Sequence, residues 1–370
     1  MKEKISDKTK IIIEPTHSSI EELVGILLEL ENGRISKAVP ELGFSRRNIE
    51  IAAQGKDFQE FLPLAERVGA DTLFYSQSYI ASIERLLEIE PTLYAQYTRV
   101  LTMELSRIYS HINTLRRVLG LKGTNRLVFE AKTIMHQIAN ILRNITNSEN
   151  LHGYYVLGGV KNGITSEILD KIKDFSDNFS KNFKNIEYTF EKNPVFLGST
   201  KNTGILDTQN ALEYSITGVN LRAAGLNLDF RKEKPYLVYN NLEFSIPTAF
   251  NGDCHSRFIL RIDEIKTSLN LINQCLEWIS ANSGGENQLN TDISDVTPKY
   301  ENAVSCTESP KGLIICRTAS DENGKLKYVK WRTPSFYSVQ ALEKVLVGST
   351  LDDLPMIFNS LDIDSMEADR

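Results

Sequence analysis

Leu221 to Arg261 reads LRAAGLNLDFRKEKPYLVYNNLEFSIPTAFNGDCHSRFILR and lies between two long helical patterns. Its first thirty residues show neither a helical period nor a strand alternation. The stretch is nevertheless rich in Arg, Tyr and Phe, which argues against an ordinary surface loop. A long ordered connection inside a compact domain is more often functional than filler. We therefore interpret it as an ordered segment around which the rest of the chain is arranged, with a wrapping surface loop as the alternative.

Long helical patterns flank this segment on both sides. Apolar residues recur three and four positions apart in four stretches, which predicts helices. These stretches are residues 71–119, 127–145, 166–183 and 258–278. Successive long helices favour an antiparallel bundle, so the predicted fold class is mainly α with a small β part.

The small β part is predicted from turn signals. Asn32-Gly33 between apolar runs predicts a hairpin in the N-terminal region, and residues 321–324 predict a second one near the C-terminus. Residues 40–47 are expected to form a turn that leads into a helix. The predicted division is an α+β segment over 1–70 and a helical domain over 71–370 that includes the central segment.

Composition and charge exclude several classes of protein. The net charge of −6 is spread along the chain, which argues against nucleic acid as the main partner. No apolar run approaches the roughly 20 residues that span a bilayer, and the first ten residues, MKEKISDKTK, lack the apolar centre of a signal peptide. We expect a cytosolic protein, or one that docks from the cytosol onto another structure.

The cysteines predict free thiols. Cys254, Cys275, Cys306 and Cys316 include no CxxC pair, and four are few for a disulfide framework in a chain of this length. Without paired spacing, cysteines alone are not expected to hold zinc or an iron–sulfur cluster here.

The helical pattern over 71–119 has two apolar stripes, and three polar residues stand out within the longer one, from Tyr97 to Leu115. Glu104, Arg107 and His111 lie three and four positions apart and therefore share one face, close to the apolar stripe. If these three groups are buried, each must have a polar partner. They could form a structural polar network between helices, or they could have a functional role. His152, beside Gly153 in a predicted turn, is a further candidate.

Two more segments carry expectations. Residues 282–300 are polar and contain Gly, which predicts a mobile loop. The chain closes on the charged run DIDSMEADR, and because chain ends usually fray, we expect this one to be docked on the protein.

Several of these motifs resemble the 49-kDa (D) subunit family of complex I, the respiratory NADH:quinone oxidoreductase. The match rests on LRAAGLNLDFRKEKPYLVY followed by NGDCHSRF, and on ELSRIYSH, WRTPSF and the final DID…DR, in the family's order and spacing. The resemblance implies a helical bundle like the hydrogenase large subunit, with an N-terminal α+β domain and a C-terminal hairpin.

The same resemblance implies a function. The chain would be one subunit of a complex I-like assembly, active only within it and peripheral on the cytoplasmic face of the membrane. It would form the quinone cavity beside the terminal iron–sulfur cluster of a partner subunit and couple electron transfer to ion or proton translocation. It would bind no cofactor or metal itself. The implied partners are an iron–sulfur (B-type) subunit, a 30-kDa (C-type) subunit and a membrane (H-type) subunit.

The hydrogenases related to this family are a natural rival. A nickel–iron site needs two CxxC pairs, because four thiolates hold the metals. Where the C-terminal CxxC pair would stand, this chain has Asp364 and Glu367. Where the early CxxC pair would stand, it has residues 68–72, VGADT. We therefore exclude hydrogenase activity.

Some of the family's functional residues have a match in this chain, and others are replaced. His17 matches the first His of the family's GPQHPSTHG loop, whereas Glu21 stands where the second His reaches the quinone. The family has a Tyr in an Arg-x-Asp-Tyr sequence, where this chain has Gly69-Ala70 and no Tyr until Tyr75. Arg67 and His152 match residues near the terminal cluster.

Four further matches are candidates for proton coupling: Glu104, Arg107, His111 and Asp369. Because both headgroup partners are altered, two alternatives stay open. In one, the complex is an acceptor-modified relative that reduces sulfur compounds. In the other, the chain is a non-catalytic paralogue kept for assembly.

Overall fold

A computed structural model describes residues 8–18, 20–282, 289–291 and 301–370. Within these ranges the helices are as follows: α1 Phe58–Ala65, α2 Thr72–Leu87, α3 Leu93–Leu121, α4 Asn125–Thr146, α5 Ser166–Lys192, α6 Pro194–Thr200, α7 Thr208–Glu213, α8 Gly218–Ala223, α9 Phe230–Glu233, α10 Cys254–Ala281, α11 Pro334–Val345, α12 Leu354–Leu361 and α13 Ser365–Ala368. The strands are β1 Lys8–Ile13, β2 Gly25–Glu31, β3 Arg34–Glu41, β4 Tyr155–Val156, β5 Gly159–Val160, β6 Asn302–Ser309, β7 Gly312–Ser320 and β8 Leu326–Arg332. The predicted class, mainly α with a small β part, is confirmed.

Four long helices form the centre of the molecule. α3 packs against α4 and α10, and α5 packs against the same two helices, so the four close into a bundle. The apolar stripes predicted from spacing face inwards here. On α5, for example, the rings of Phe175, Phe179 and Phe183 are buried and contact one another in sequence.

The N-terminal sheet is antiparallel in the order β1-β2-β3. Asn32 and Gly33 connect β2 to β3 with φ angles of 54° and 77°, which is the left-handed pair that a two-residue hairpin turn requires. The predicted hairpin is confirmed, and β1 adds a third strand along β2.

The C-terminal sheet has the order β6-β7-β8. The predicted hairpin corresponds to β7 and β8, and its Asp321 carboxylate accepts hydrogen bonds from the amides of Asn323 and Lys325 in the turn. β6 was not predicted from the sequence, although it pairs with β7 along its whole length. The sheet packs on α2.

The prediction that residues 40–47 form a turn leading into a helix is only partly right, because a single 3-10 turn, Ile51–Ala53, follows and the first α-helix begins at Phe58. Pro40 and Glu41 belong to β3, and the following residues are held by distant groups. The Asp369 carboxylate accepts the amides of Gly43 and Ser45, while the Arg47 guanidinium donates to the carbonyl of Val68 at 2.8 Å. These tertiary bonds use the groups that a local helix would need.

The central segment 221–261 is ordered and largely irregular, as predicted. Its arginines point inwards, because Arg222, Arg231 and Arg257 are fully buried. At its end, Gly252 has φ 63°, and a Cβ there would lie 2.1 Å from the Leu206 carbonyl oxygen. Only glycine fits this corner, after which Asp253 caps α10 by accepting the amide of Ser256.

The polar loop predicted over 282–300 falls mostly on residues outside the described ranges. None of the described helices is long and apolar enough to cross a membrane. Within the same ranges the four cysteines are free thiols, and Cys254, Cys275 and Cys316 are buried.

Candidate functional site

Helix α3 carries polar groups on two opposite sides. Glu104, Arg107 and His111 lie on one side and enter a buried ion network. Residues 106, 109, 110, 113 and 117 lie on the other side and line a cavity. Because a helix turns 100° per residue, an offset of two positions places the two sets nearly back to back.

The buried network begins at Glu104, which has no exposed surface. Its carboxylate accepts hydrogen bonds from Arg107 at 3.1 Å, Arg231 at 3.3 Å, Tyr239 at 2.6 Å and Ser268 at 2.6 Å. Burial works to raise the pKa of Glu104, but the two arginines outweigh it and hold the pKa below its usual value. Glu104 is therefore a buried, fully bonded carboxylate.

A second carboxylate, Glu264 on α10, joins α3 to the central segment. One oxygen lies 3.0 Å from His111 Nε2, and the other accepts from Arg222 at 2.5 Å. Burial lowers the pKa of His111, despite its contact with Glu264, so the imidazole is neutral near pH 7. Glu104, Arg107 and His111 are buried and paired, as expected, although His111 pairs with Glu264 and not with the other two. Their proton-coupling role stays a prediction.

The network contains one more carboxyl group than arginine. Asp229 pairs with Arg231 at 2.8 Å, and Arg222 also contacts Glu308 at 3.0 Å. Burial would raise the pKa of Asp229, but Arg231 and Arg222 lower it to about 2. Burial and the nearby Asp229 instead raise the pKa of Glu308. Glu308 is thus the member of this network best able to hold a proton.

The cavity on the other side of α3 has a volume of about 370 Å³, within the roughly 300–1,000 Å³ of ligand pockets. Its walls bring together the connection between α1 and α2, the turn after α4 and the C-terminal residues before α13. The lining includes five acidic and three basic side chains: Glu22, Asp71, Glu149, Asp362, Asp364, Arg117, Arg143 and Lys311. An excess of carboxylates favours a neutral ligand over an anionic one.

Most of these lining charges are paired. Lys311 Nζ lies 2.6 Å from Asp71, and Arg117 Nη2 lies 2.5 Å from Asp362. Burial would raise the pKa of Asp362, yet Lys311 and Arg117 hold it well below its usual value. Asp364 instead accepts backbone amides, from Ala70 at 2.7 Å and Met366 at 2.8 Å.

Two buried polar atoms of the lining residues have no hydrogen bond among the described residues. They are Arg117 Nε and Asp362 Oδ2. Such atoms are rare in folded proteins and call for an explanation. For Asp362 Oδ2 the neighbour is Arg261 Nε at 3.9 Å, an ion pair longer than a hydrogen bond.

Behind Asp364 lies a fully buried carboxyl, Glu367. It accepts a hydrogen bond from the Tyr75 hydroxyl at 2.5 Å and from the Ser335 amide at 2.8 Å. Burial and then Asp364 raise the pKa of Glu367 to about 8, against the opposing effect of Lys311. Glu367 therefore carries a proton at neutral pH.

Arg67 and His152 lie near enough to each other to interact electrostatically. Both are close to the cavity, which residues 70 and 151 line. Burial, and next Arg67, lower the pKa of His152. Glu66 braces this arrangement, because its buried carboxylate accepts the amide of Gly153 at 2.9 Å. The functional roles of Arg67 and His152 stay predictions.

His17 and Glu21 lie at the surface. His17 is exposed, and the Glu21 side chain is 54% exposed and 3.4 Å from Arg116. From this segment it is Glu22 that lines the cavity, where it accepts the amide and the hydroxyl of Ser365 at 2.8 Å. The assignment of His17 and Glu21 to the acceptor stays a prediction, and Glu22 becomes a third candidate.

Asp369 lies away from the Glu104 network. Its carboxylate accepts the amides of Gly43 at 2.8 Å and Ser45 at 2.8 Å. These bonds dock the end of the chain on the N-terminal region, as expected from its charged motif. The proton-coupling role of Asp369 stays a prediction.

Several residues of the site were missed from the sequence. Glu264 and Glu308 lie far from Glu104 along the chain, and no spacing rule connects them. Lys311 follows the unpredicted strand β6. Glu22 is adjacent to the candidate Glu21, so the resemblance indicated the right segment but the neighbouring residue.

Comparisons with known proteins agree with the resemblance. The model of the family described as respiratory-chain NADH dehydrogenase, 49 kDa subunit, matches residues 127–370. A protein from Carboxydothermus hydrogenoformans, named as the D subunit of NADH-quinone oxidoreductase, is 30% identical over 363 residues, which cover 97% of each chain.

Two further proteins with that name are similar to this chain. The one from Salinibacter ruber is 30% identical over 388 residues, covering 97% of this chain and 84% of its own. The one from Geobacillus thermodenitrificans is 30% identical over 356 residues, covering 96% of each.

Proposed function

Because this chain belongs to the 49-kDa subunit family of respiratory-chain NADH dehydrogenase, we propose that its cavity receives the electron acceptor of a complex I-like enzyme. The acceptor is a quinone. Electrons reach it from the terminal iron–sulfur cluster of a partner subunit. The chain acts only within the assembled complex, whose other subunits are its partners.

The observation that carries this proposal is the composition of the cavity wall. Residues 70–72, 149–151 and 362–364 are distant in sequence and meet around one space of about 370 Å³. The Arg67–His152 pair stands beside that space. A cation near a cluster stabilises its reduced form, so this is where we place the partner's cluster.

Helix α3 supports a coupling role. It separates the cavity from the buried network of Glu104, Arg107 and His111, so a charge change in the cavity acts on groups one helix diameter away. Buried carboxyls such as Glu308, with its raised pKa, respond to such changes by taking up or releasing protons. We infer that this network passes reduction of the acceptor towards ion or proton translocation.

The finer assignment of partners follows from the same proposal. An iron–sulfur (B-type) subunit covers the Arg67–His152 side, and a 30-kDa (C-type) and a membrane (H-type) subunit complete the surroundings. The chain then sits peripherally on the cytoplasmic face of the membrane. It binds no metal or cofactor itself.

A second candidate is reduction of a different acceptor, such as a sulfur compound. The observation that favours it is the loss of both family headgroup partners, since Glu21 is largely exposed and position 70 is alanine. The excess of lining carboxylates opposes an anionic acceptor such as a polysulfide. The charge of the cavity thus supports the neutral quinone.

Quinone-linked turnover of the isolated assembly tests the proposal. We compare the wild type with His17→Ala, Glu21→Gln and Glu22→Gln. We expect the wild type to reduce a short-chain quinone and Glu22→Gln to lower turnover by about tenfold or more. Glu22 lines the cavity and holds Ser365, and a small misplacement of site groups can cost up to about 10²-fold in rate. Loss in His17→Ala or Glu21→Gln instead would place the proton chemistry at the surface loop.

Asp174→Asn on the exposed face of α5 is the matched control and leaves turnover unchanged. If the wild-type complex is intact and its cluster is reducible but no quinone is reduced, the quinone proposal is wrong. Sulfur compounds are then the next substrates to test, and inactivity with those as well would indicate an assembly role.

A further inference from the structure

The wall of the cavity contains one point where three polar side chains converge. A Cβ placed on Gly69 would lie 2.6 Å from Tyr75 Cε2, 3.1 Å from Asp364 Oδ2 and 3.1 Å from Glu367 Cβ. In proteins, a Cβ atom essentially never comes as close as 2.6 Å to a non-bonded heavy atom of another residue. Position 69 is therefore glycine because Tyr75, Asp364 and Glu367 occupy the space of its side chain.

These three side chains surround Gly69 next to the cavity, which Ala70 and Asp364 line. Tyr75 and Glu367 are fully buried and joined by a hydrogen bond of 2.5 Å. Asp364 lines the cavity, and it is tied to Glu367 because both belong to the capping turn of α13, where the Glu367 amide approaches Asp364 Oδ1 at 3.4 Å. Asp364 thus stands between the buried carboxyl and the cavity.

We propose that Asp364 delivers protons to the acceptor reduced in this cavity and that Glu367, held by Tyr75 and Ser335, is their internal source. The inference rests on the proposed function. Neither residue is among the site residues that the resemblance assigns. In this chain the pair performs the proton chemistry for which positions 21 and 70 lack the family's side chains.

Electrons and protons balance in the proposed step. The O–H bond of Glu367 breaks as an O–H bond forms on Asp364, and that proton then passes to an oxygen of the acceptor. Two such transfers accompany two electrons from the partner subunit's iron–sulfur cluster, so that a quinone becomes a quinol. Solvent protons enter at the mouth of the cavity, where the Glu149 side chain is 80% exposed, and restore the pair.

Electrostatics support Glu367 as the source. Its raised pKa, caused by burial and then by Asp364, keeps it protonated at neutral pH, and Lys311 limits the rise. The charged and titratable groups that interact with the Asp364–Glu367 pair come from several elements: Glu22, Arg47, Tyr75, Lys311 and Arg332. Asp71 and Asp362 in turn face Lys311. Burial, and next Asp364, also raise the pKa of Glu22. Glu22 is thus a second carboxyl near Asp364 that takes up a proton more readily than an ordinary glutamate.

The test is the pH profile of quinone reduction by the assembled complex. We expect the wild-type rate to fall as pH rises through about 8, the pKa of Glu367. Asp364→Asn is expected to lower kcat by roughly 100-fold with little change in KM, because it removes the transferring group but keeps the shape. Glu367→Gln is expected to remove the alkaline fall while lowering kcat at neutral pH.

Tyr75→Phe removes a single hydroxyl and tests the direction in which the midpoint of the alkaline fall moves. The hydroxyl's hydrogen bond lowers the pKa of Glu367, so its removal is expected to move the alkaline fall to higher pH. A purely structural role would change the rate without moving that midpoint. In every variant the EPR signal of the partner's reduced cluster reports whether electron supply is intact.

Two results distinguish a failure of the proposed function from a failure of this inference alone. A wild type that reduces no quinone contradicts the proposed function and this inference with it. An active wild type with unchanged kcat and an unchanged pH profile in Asp364→Asn and Glu367→Gln overturns this inference alone. If either variant fails to assemble, the midpoint in Tyr75→Phe decides, because a midpoint that does not move also overturns it.

Discussion

Among the residues that the structure describes, six arginines are almost completely buried: Arg99, Arg107, Arg222, Arg231, Arg257 and Arg261. A buried guanidinium is costly unless most of its five donors find partners. Arg222 meets this need through Glu264, Glu308 and the carbonyl of Leu228. Removing one partner of such a pair typically costs about 3–5 kcal/mol, so each network residue constrains the others.

Gly69 offers the sharpest prediction at the residue scale. We expect Gly69→Ala to lower the free energy of unfolding of the full chain by about 1–3 kcal/mol, because the added methyl overlaps Tyr75 and Asp364. Urea unfolding measures the change. Gly198→Ala is the control, because no atom lies within 4 Å of its Cβ position and alanine is the better helix former. Equal effects in the two variants would contradict the packing described at Gly69.

At the scale of elements, α3 and α10 meet through polar contacts as well as apolar ones. His111 on α3 and Glu264 on α10 are 3.0 Å apart, and Ser268 of α10 binds Glu104 of α3 at 2.6 Å. The stacked rings of Tyr97 and Trp278, 4.0 Å apart, join the same two helices. Their relative rotation is therefore fixed by directional bonds.

This contact predicts a pH dependence of stability. The pKa of His111 is lowered from 6.5 by burial, so below pH 6.5 the unfolded chain binds a proton that the folded chain excludes. The free energy of unfolding should then fall with decreasing pH by up to about 1.4 kcal/mol per unit from this residue. We expect His111→Gln, which does not titrate and retains a donor towards Glu264, to have a smaller slope between pH 6.5 and 5.

Denaturant unfolding of the full chain at several pH values measures that slope. His136→Gln is the control, because His136 is exposed on α4 and its replacement should leave the slope as in the wild type. Contributions from other groups, including Glu367, are shared by the variants and cancel in the difference. Identical slopes in wild type and His111→Gln would show that burial of this imidazole does not control its charge.

At the scale of the whole molecule, the two ends of the described chain hold each other. Asp369 binds the amides of Gly43 and Ser45, and Arg370 lies 3.1 Å from Glu50. Helix α11 packs on β3 and on α13. The C-terminal residues thus form part of the N-terminal region's packing, and they also supply the cavity wall at Asp364.

We expect Asp369→Asn to loosen this junction. The variant keeps one acceptor oxygen but loses the charge that strengthens the bonds, so the free energy of unfolding should fall by about 1–2 kcal/mol. Amide hydrogen exchange should quicken at residues 43–47 more than elsewhere. Asp174→Asn, on the exposed face of α5, is expected to change neither quantity, and unchanged protection at 43–47 in Asp369→Asn would mean that the junction is held by other contacts.

Local patterns were enough to predict the long helices, the two hairpins and the family. Helical spacing and the Asn32-Gly33 turn act over a few residues, so their physical causes are visible along the chain. The face shared by Glu104, Arg107 and His111 is local in the same sense. The motifs of the central segment identified the family because their order and spacing survive in this chain.

The groups that complete the site could be found only in the folded chain. Glu264, Glu308 and Glu22 reach their positions through packing of distant elements, and no periodicity connects them with α3. Residues 40–47 were only partly predicted for the same reason, since their amides bind a carboxylate more than 300 positions away. Burial of a charge and its pairing are properties of the assembled interior, where the cost of an unpaired ion makes every partner depend on the whole fold.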